Sequence, residues 1–168
     1  MSGLNKTIYL TGFMGAGKST VGKLLAQKLG VGFVDLDDYI EETSNKKIPH
    51  IFKEHGEAHF RKLETQALID VSRKSIVIST GGGVVETKES QRIMKETGMI
   101  FFLDAPFPVL YERIFGDPNR PLAALKKDDL QKRFERRKPL YERGAITIHT
   151  HGCSPYEVVQ RILLDLTD

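Results

Sequence analysis

Residues 12–19 read Gly-Phe-Met-Gly-Ala-Gly-Lys-Ser, a complete G-x-x-x-x-G-K-[ST] spacing that sits between a β-branched apolar run at 7–10 and a helical pattern at 19–29. Strand, tight loop and helix in that order is the context this spacing needs. The backbone must curl so that its N–H groups point at phosphate oxygens, and side chains would obstruct that approach. The helix that follows turns its positive N-terminal end toward the same anion. Lys18 is then placed to reach the β- and γ-phosphates of a nucleotide, and Ser19 to hold Mg²⁺ through its hydroxyl. A chance glycine turn ahead of a helix is the bland alternative, disfavoured because the spacing and its flanking elements both match.

The rest of the chain repeats the alternation. Further strands are expected at 31–36, 75–79, 99–103 and 145–149, and helices at 57–73, 88–97, 130–143 and 155–166, with Gly30 stopping the first helix. Continuously apolar strands alternating with helices predict a parallel sheet covered on both faces, an α/β fold. Ligands of such sheets bind beyond the carboxyl ends of the strands. That rule makes neighbours of the glycine loop, the acids Asp35, Asp37 and Asp38, and the triple glycine 81–83, which are far apart in sequence.

Asp35 and Asp37 lie two apart at a strand end and could face one site, one organising Mg²⁺ and the other accepting or orienting a hydroxyl proton. Equally, Asp37 or Asp38 could simply cap a helix beginning near Tyr39. Three consecutive glycines cost conformational entropy, which favours a close approach of ligand to backbone. Arg61, Arg120 and Arg137 carry planar guanidiniums suited to carboxylate or phosphate oxygens, although any single arginine is more often a surface charge. A guanine-reading Asn-Lys-x-Asp is missing, since Asn45-Lys46-Lys47 is followed by Ile48, so a GTPase switch is disfavoured.

Together these motifs resemble the shikimate kinase family. The resemblance runs from Thr7 nearly to the C-terminus, through the glycine loop, Phe33-Val-Asp35-Leu-Asp37, Ile51-Phe52, Gly56-Glu57, Phe60-Arg61, Thr80-Gly-Gly-Gly83, Arg120-Pro121-Leu122 and Arg137-Lys138-Pro139-Leu140-Tyr141. It implies a three-layer α/β/α P-loop kinase fold with a five-stranded parallel sheet in the order 2-3-1-4-5, spanning 1–168 as one domain. A substrate-binding segment at about 37–60 and a small lid at about 116–125 are implied as well. The implied reaction transfers the γ-phosphoryl group of ATP, with Mg²⁺, to the 3-hydroxyl of shikimate. Lys18, Asp37 and Arg120 would be catalytic, and Gly15, Ala16, Gly17, Lys18, Ser19, Thr20, Arg113 and Arg120 would contact the nucleotide. Asp37, Arg61, the Gly82 backbone and Arg137 would bind shikimate, Ser19 and Asp35 would serve the metal, and Phe52, Phe60 and Glu64 would line or brace the pocket. Some relatives place an arginine against adenine where this chain reads Thr150-His-Gly-Cys-Ser-Pro155, which leaves Arg113 and backbone for that contact.

Composition agrees with an ordinary globular chain: 168 residues, 40% hydrophobic and 28% charged, enough for one core and too few for two usual domains. A lone Cys153 permits no internal disulfide and is expected to be a passive thiol. No apolar run approaches the roughly 20 residues of a membrane span, and no secretory pattern opens the chain. A cytoplasmic monomer with no membrane partner is expected. The net charge of +3 and the basic stretch 132–143, which interleaves Glu135 and Glu142, read mostly as a solvated helix face. The competing readings are a related kinase such as one for gluconate, and a nucleotide-dependent nucleic-acid-binding module, which would bind in a salt-sensitive way; no nucleic-acid partner is expected. His55 and His59 are spaced for one helix face, but Gly56 interrupts them and no third metal ligand is evident.

Overall fold

A computed structural model of the chain describes residues 4–72, 75–116 and 126–167. Arg120 and the expected lid beyond Gly116 therefore lie outside the described residues, as does the end of the helix expected to reach residue 73.

Five parallel strands form one sheet in the order β2-β3-β1-β4-β5. They are β1 Thr7–Thr11, β2 Gly32–Asp35, β3 Ile76–Ser79, β4 Gly98–Asp104 and β5 Ile146–His149. Every residue of β1 is buried, because it lies centrally between β3 and β4. That burial explains why its sequence shows no polar alternation. The helices α1 Lys18–Leu29, α2 Leu36–Ser44, α3 Ile48–Val71, α4 Lys88–Thr97, α5 Phe107–Phe115, α6 Lys127–Glu142 and α7 Pro155–Thr167 cover the sheet in a three-layer α/β/α arrangement. Helix α1 packs against α7 and over β2 and β3, while α4 packs on β4 and against α3. Among the described residues no helix is long and apolar enough to cross a membrane.

Three features differ from expectation. The cap of α2 is Asp35, whose Oδ1 accepts from the Asp38 N–H at 3.1 Å, not Asp37 or Asp38. Helix α2 therefore starts directly off β2, and Asp37 occupies its first turn instead of an extended segment shared with Asp35. Helix α3 extends upstream to Ile48, and Gly56 breaks it with φ 82° and ψ 173°. Helix α5 was not anticipated: its proline-flanked start, Pro106-Phe107-Pro108, reads as a turn until Phe107, Leu110 and Ile114 are seen to enter the core on one helix face.

Candidate active site

The loops after β1 and β3 lie side by side, because the two strands are parallel neighbours in the sheet and their carboxyl ends emerge together. The glycine loop follows β1, and Gly12, Gly15 and Gly17 take φ of 148°, 82° and 88°, values that L side chains resist. Gly17 caps α1 without a side chain of its own, so the first N–H groups of that helix stay open to a ligand. Lys18 folds back over the loop, donating to Gly12 O at 2.5 Å and Phe13 O at 3.1 Å. The Arg113 guanidinium on α5 donates to Gly15 O at 3.0 Å, which fixes it beside the loop.

Ser19 donates its hydroxyl to Asp35 Oδ2 at 2.6 Å. Since Asp35 Oδ1 caps α2, the carboxylate is held at both oxygens. The Ser79 hydroxyl, at the end of β3, stands 3.3 Å from Ser19 Oγ. Sequence reasoning passed over Ser79, although its place at the carboxyl end of a strand beside β1 is the signal that would have selected it.

Next to the phosphate loop a cavity of about 370 Å³ is walled by α3, the triple glycine and α6, and it includes Met14 of the loop itself. Asp37, Arg61, Gly82 and Arg137 all line it, so the tertiary fold brings together every acceptor residue expected from the sequence. Phe52, Phe60 and Glu64 line it too, with the two phenyl rings 4.8 Å apart.

Arg61 and its carboxylates follow helical spacing: Nη1 donates to Glu64 at 2.9 Å and Nη2 to Glu57 at 3.3 Å. Its guanidinium lies close against Gly83, where an added Cβ would come within 2.2 Å of Nη2. A Cβ on Gly81 would stand 2.8 Å from Asp37 Oδ1 and 3.2 Å from Glu64 Oε2. The triple glycine therefore makes room for an arginine and two carboxylates. Tyr141 donates its hydroxyl to Gly82 O and stacks on Phe102, tying α6 to that loop.

Asp37 Oδ1 and Glu64 Oε2 are buried without a hydrogen-bond partner among the described residues. Burial, reinforced by the Asp35 carboxylate and opposed by Lys18, pushes Asp37 up to about 6. Burial likewise pushes Glu64 up to about 7, against the pull of Arg61. A carboxylate lifted toward neutrality beside an ammonium is suited to exchanging a proton with a bound hydroxyl.

The basic stretch of α6 is solvated at most of its charges, as expected, but three of its arginines face the cavity. Arg137 is buried, with its Cζ 6.0 Å over the Phe13 ring, and Arg133 and Arg136 also line the cavity. Arg136 Nη2 donates to Glu86 Oε1 at 2.6 Å, and Arg137 Nη2 to Glu86 Oε2 at 3.2 Å. Burial works to raise the Glu86 carboxyl, but its bonds to Arg136 and Arg137 outweigh that and hold it low. Glu86, Arg133 and Arg136 were not singled out as ligands, because the two arginines read as ordinary helix charges, and Glu86 carries no motif, until α6 is laid against the triple-glycine loop.

A phosphate loop abutting a separate acceptor pocket of arginines and raised carboxylates defines a P-loop kinase, a phosphotransferase that acts on a small molecule. More narrowly, the chain belongs to the shikimate kinase family, whose model, described as Shikimate kinase, matches residues 14–167. It is 48% identical to a shikimate kinase of Persephonella marina over 94% of this chain and 97% of that protein. It superposes with a TM-score of 0.91, at 36% identity, on the shikimate kinase of Acinetobacter baumannii solved in complex with shikimate, covering 98% of this chain and 95% of that one. A gluconokinase from Sinorhizobium meliloti, 17% identical with a TM-score of 0.67 over 98% of this chain and 93% of that one, shares the fold alone.

Proposed function

We propose that the chain transfers the γ-phosphoryl group of ATP to the 3-hydroxyl of shikimate. The observation carrying this reading is the meeting of Arg61, Arg137 and the raised Asp37 carboxylate in one cavity beside the Lys18 loop. Arg61 and Arg137 bind the acceptor's carboxylate, their planar forks matching its two oxygens. The Gly82 backbone lies against the ring, and Asp37 accepts hydrogen bonds from the hydroxyls and takes the proton of the attacking one. Membership of the family, and the related enzyme solved with shikimate, support that acceptor over gluconate.

Lys18 leaves the carbonyls of Gly12 and Phe13 for the β- and γ-phosphates, and the loop N–H groups of Gly15, Ala16 and Gly17, with Ser19 and Thr20, receive the rest of the triphosphate. Arg113 lies on the nucleotide side of the loop, suited to an adenine ring. Arg120 is assigned to the transferring phosphate on the family resemblance. The Ser19 hydroxyl and Asp35 carboxylate are hard oxygen donors 2.6 Å apart, which suits Mg²⁺, a cation held by few protein ligands together with phosphates and waters. When bound it neutralises charge on the β- and γ-phosphates. We assign the protein to the cytoplasm, as one domain acting as a monomer on shikimate and ATP.

The test is a coupled assay of ADP release with Mg²⁺-ATP, comparing shikimate, gluconate, nucleoside monophosphates and no acceptor. Turnover confined to shikimate is expected. Preference for gluconate would instead assign the pocket to the fold's other acceptor class. Nothing in the pocket favours nucleic acid, since the arginines of α6 that line it turn inward or pair with Glu86.

A further inference from the structure

Glu86 stands in the 3-10 turn Val84–Glu86, immediately after the triple glycine, and is mostly buried. Its two oxygens serve three guanidiniums: Oε1 meets Arg136 at 2.6 Å, and Oε2 meets Arg137 at 3.2 Å and Arg61 at 3.7 Å. We infer that Glu86 is a positioning residue of the acceptor pocket, holding the Arg61 and Arg137 forks ready for a carboxylate and offsetting the surplus charge of Arg136. The inference rests on the shikimate reading of the site.

Both forks are held in advance, Arg61 by Glu64 at Nη1 and Glu57 at Nη2, and Arg137 on one side only. Arg137 gives Nη2 to Glu86 while Nη1 lies 3.4 Å from the Cβ position of Gly82, on the acceptor wall. The Nε atoms of Arg137 and Arg61 are buried without a partner among the described residues. An arginine held by one edge has already given up much of its rotamer freedom, so a ligand carboxylate meets a preorganised donor.

Charge leads to the same residue. The cavity is lined by Arg61, Arg133, Arg136 and Arg137 and by Asp37, Glu57, Glu64 and Glu86. Glu57 and Glu64 are bonded to Arg61, and Asp37 faces the phosphate loop, which leaves Glu86 to answer the arginines of α6. Without it, three guanidiniums on one helix face would crowd together, and a more highly charged acceptor would gain at the expense of a monocarboxylate.

The test uses the full chain with Glu86→Gln, which keeps the shape and removes the charge. Shikimate KM by ADP release, and shikimate affinity by calorimetry without nucleotide, should each weaken about tenfold, the order for loosening a charge-assisted hydrogen bond. The kcat should stay within about twofold and the ATP KM should hold, because Glu86 touches neither the reacting atoms nor the phosphate loop. Arg136→Gln should weaken shikimate binding less, and should add nothing in the Glu86→Gln background. Unchanged or tighter shikimate binding by Glu86→Gln, effects of the two substitutions that multiply, or an equal fall in ATP affinity alongside would each overturn the inference. If the unaltered chain fails to bind or phosphorylate shikimate, the proposed function falls instead, so the two failures are told apart.

Discussion

Glu64 is fully buried beside Arg61, and its raised carboxyl makes a measurable demand on folding. Between its ordinary 4.5 and about 7 the folded chain binds this proton more tightly than the unfolded chain. By linkage its stability contribution is present below about pH 4.5 and is lost as pH rises through 7. Asp37 acts in the same sense between 3.8 and about 6. Urea midpoints of the ligand-free protein should therefore decline less steeply across this window in Glu64→Gln than in the parent chain. Identical slopes would show that burial does not raise the group. Asp37→Asn removes the proposed proton acceptor while keeping its size, so kcat should fall by about 10²- to 10⁴-fold with ATP affinity preserved. Near-normal turnover would remove Asp37 from the chemistry.

At the scale of elements, the break in α3 shapes the pocket wall. Gly56 holds a conformation close to glycine-only, with open space where a Cβ would go, so any penalty at this position comes from backbone alone. Upstream of it Ile48 and Phe52 line the cavity, and downstream Phe60, Arg61 and Glu64 do. Gly56→Ala should cost about 1–3 kcal/mol of stability and, by swinging the upstream turn, raise the shikimate KM more than the ATP KM. A straightened helix with unchanged KM would detach this break from acceptor binding. The sequence marks Gly56 as an interruption of periodicity, but only the packed structure makes it a hinge between two stretches of wall.

For the whole molecule, one sheet carries one continuous core, on which α1 packs over β1, β2 and β3 while α7, from the other end of the chain, packs on β5 and against α1. A calorimetric scan should give a single transition. A nucleotide that binds only the folded state, at about 100 times its Kd, should add about 2.7 kcal/mol and raise Tm by about 5–10 °C. Two transitions, only one of them responsive to ATP, would divide the chain into two units. With Mg²⁺ chelated the nucleotide-induced rise should shrink, which tests the Ser19 and Asp35 assignment without reference to turnover.

What the sequence by itself determined is what rests on local spacing. The phosphate loop needs glycines at fixed offsets, Arg61 meets Glu57 and Glu64 through helical periodicity, and apolar runs alternating with helices require a parallel sheet. What only the tertiary structure decided is what rests on contacts across the chain. Asp35 was seen as an acid at a strand end, but its double duty as cap and Ser19 partner depends on where α1 lies. The surplus arginines of α6 became pocket residues, and Glu86 their counter-charge, through packing that joins positions about 50 residues apart. A charge's role depends on which guanidinium or carboxylate it meets after folding, and periodicity along the chain carries no record of that partner.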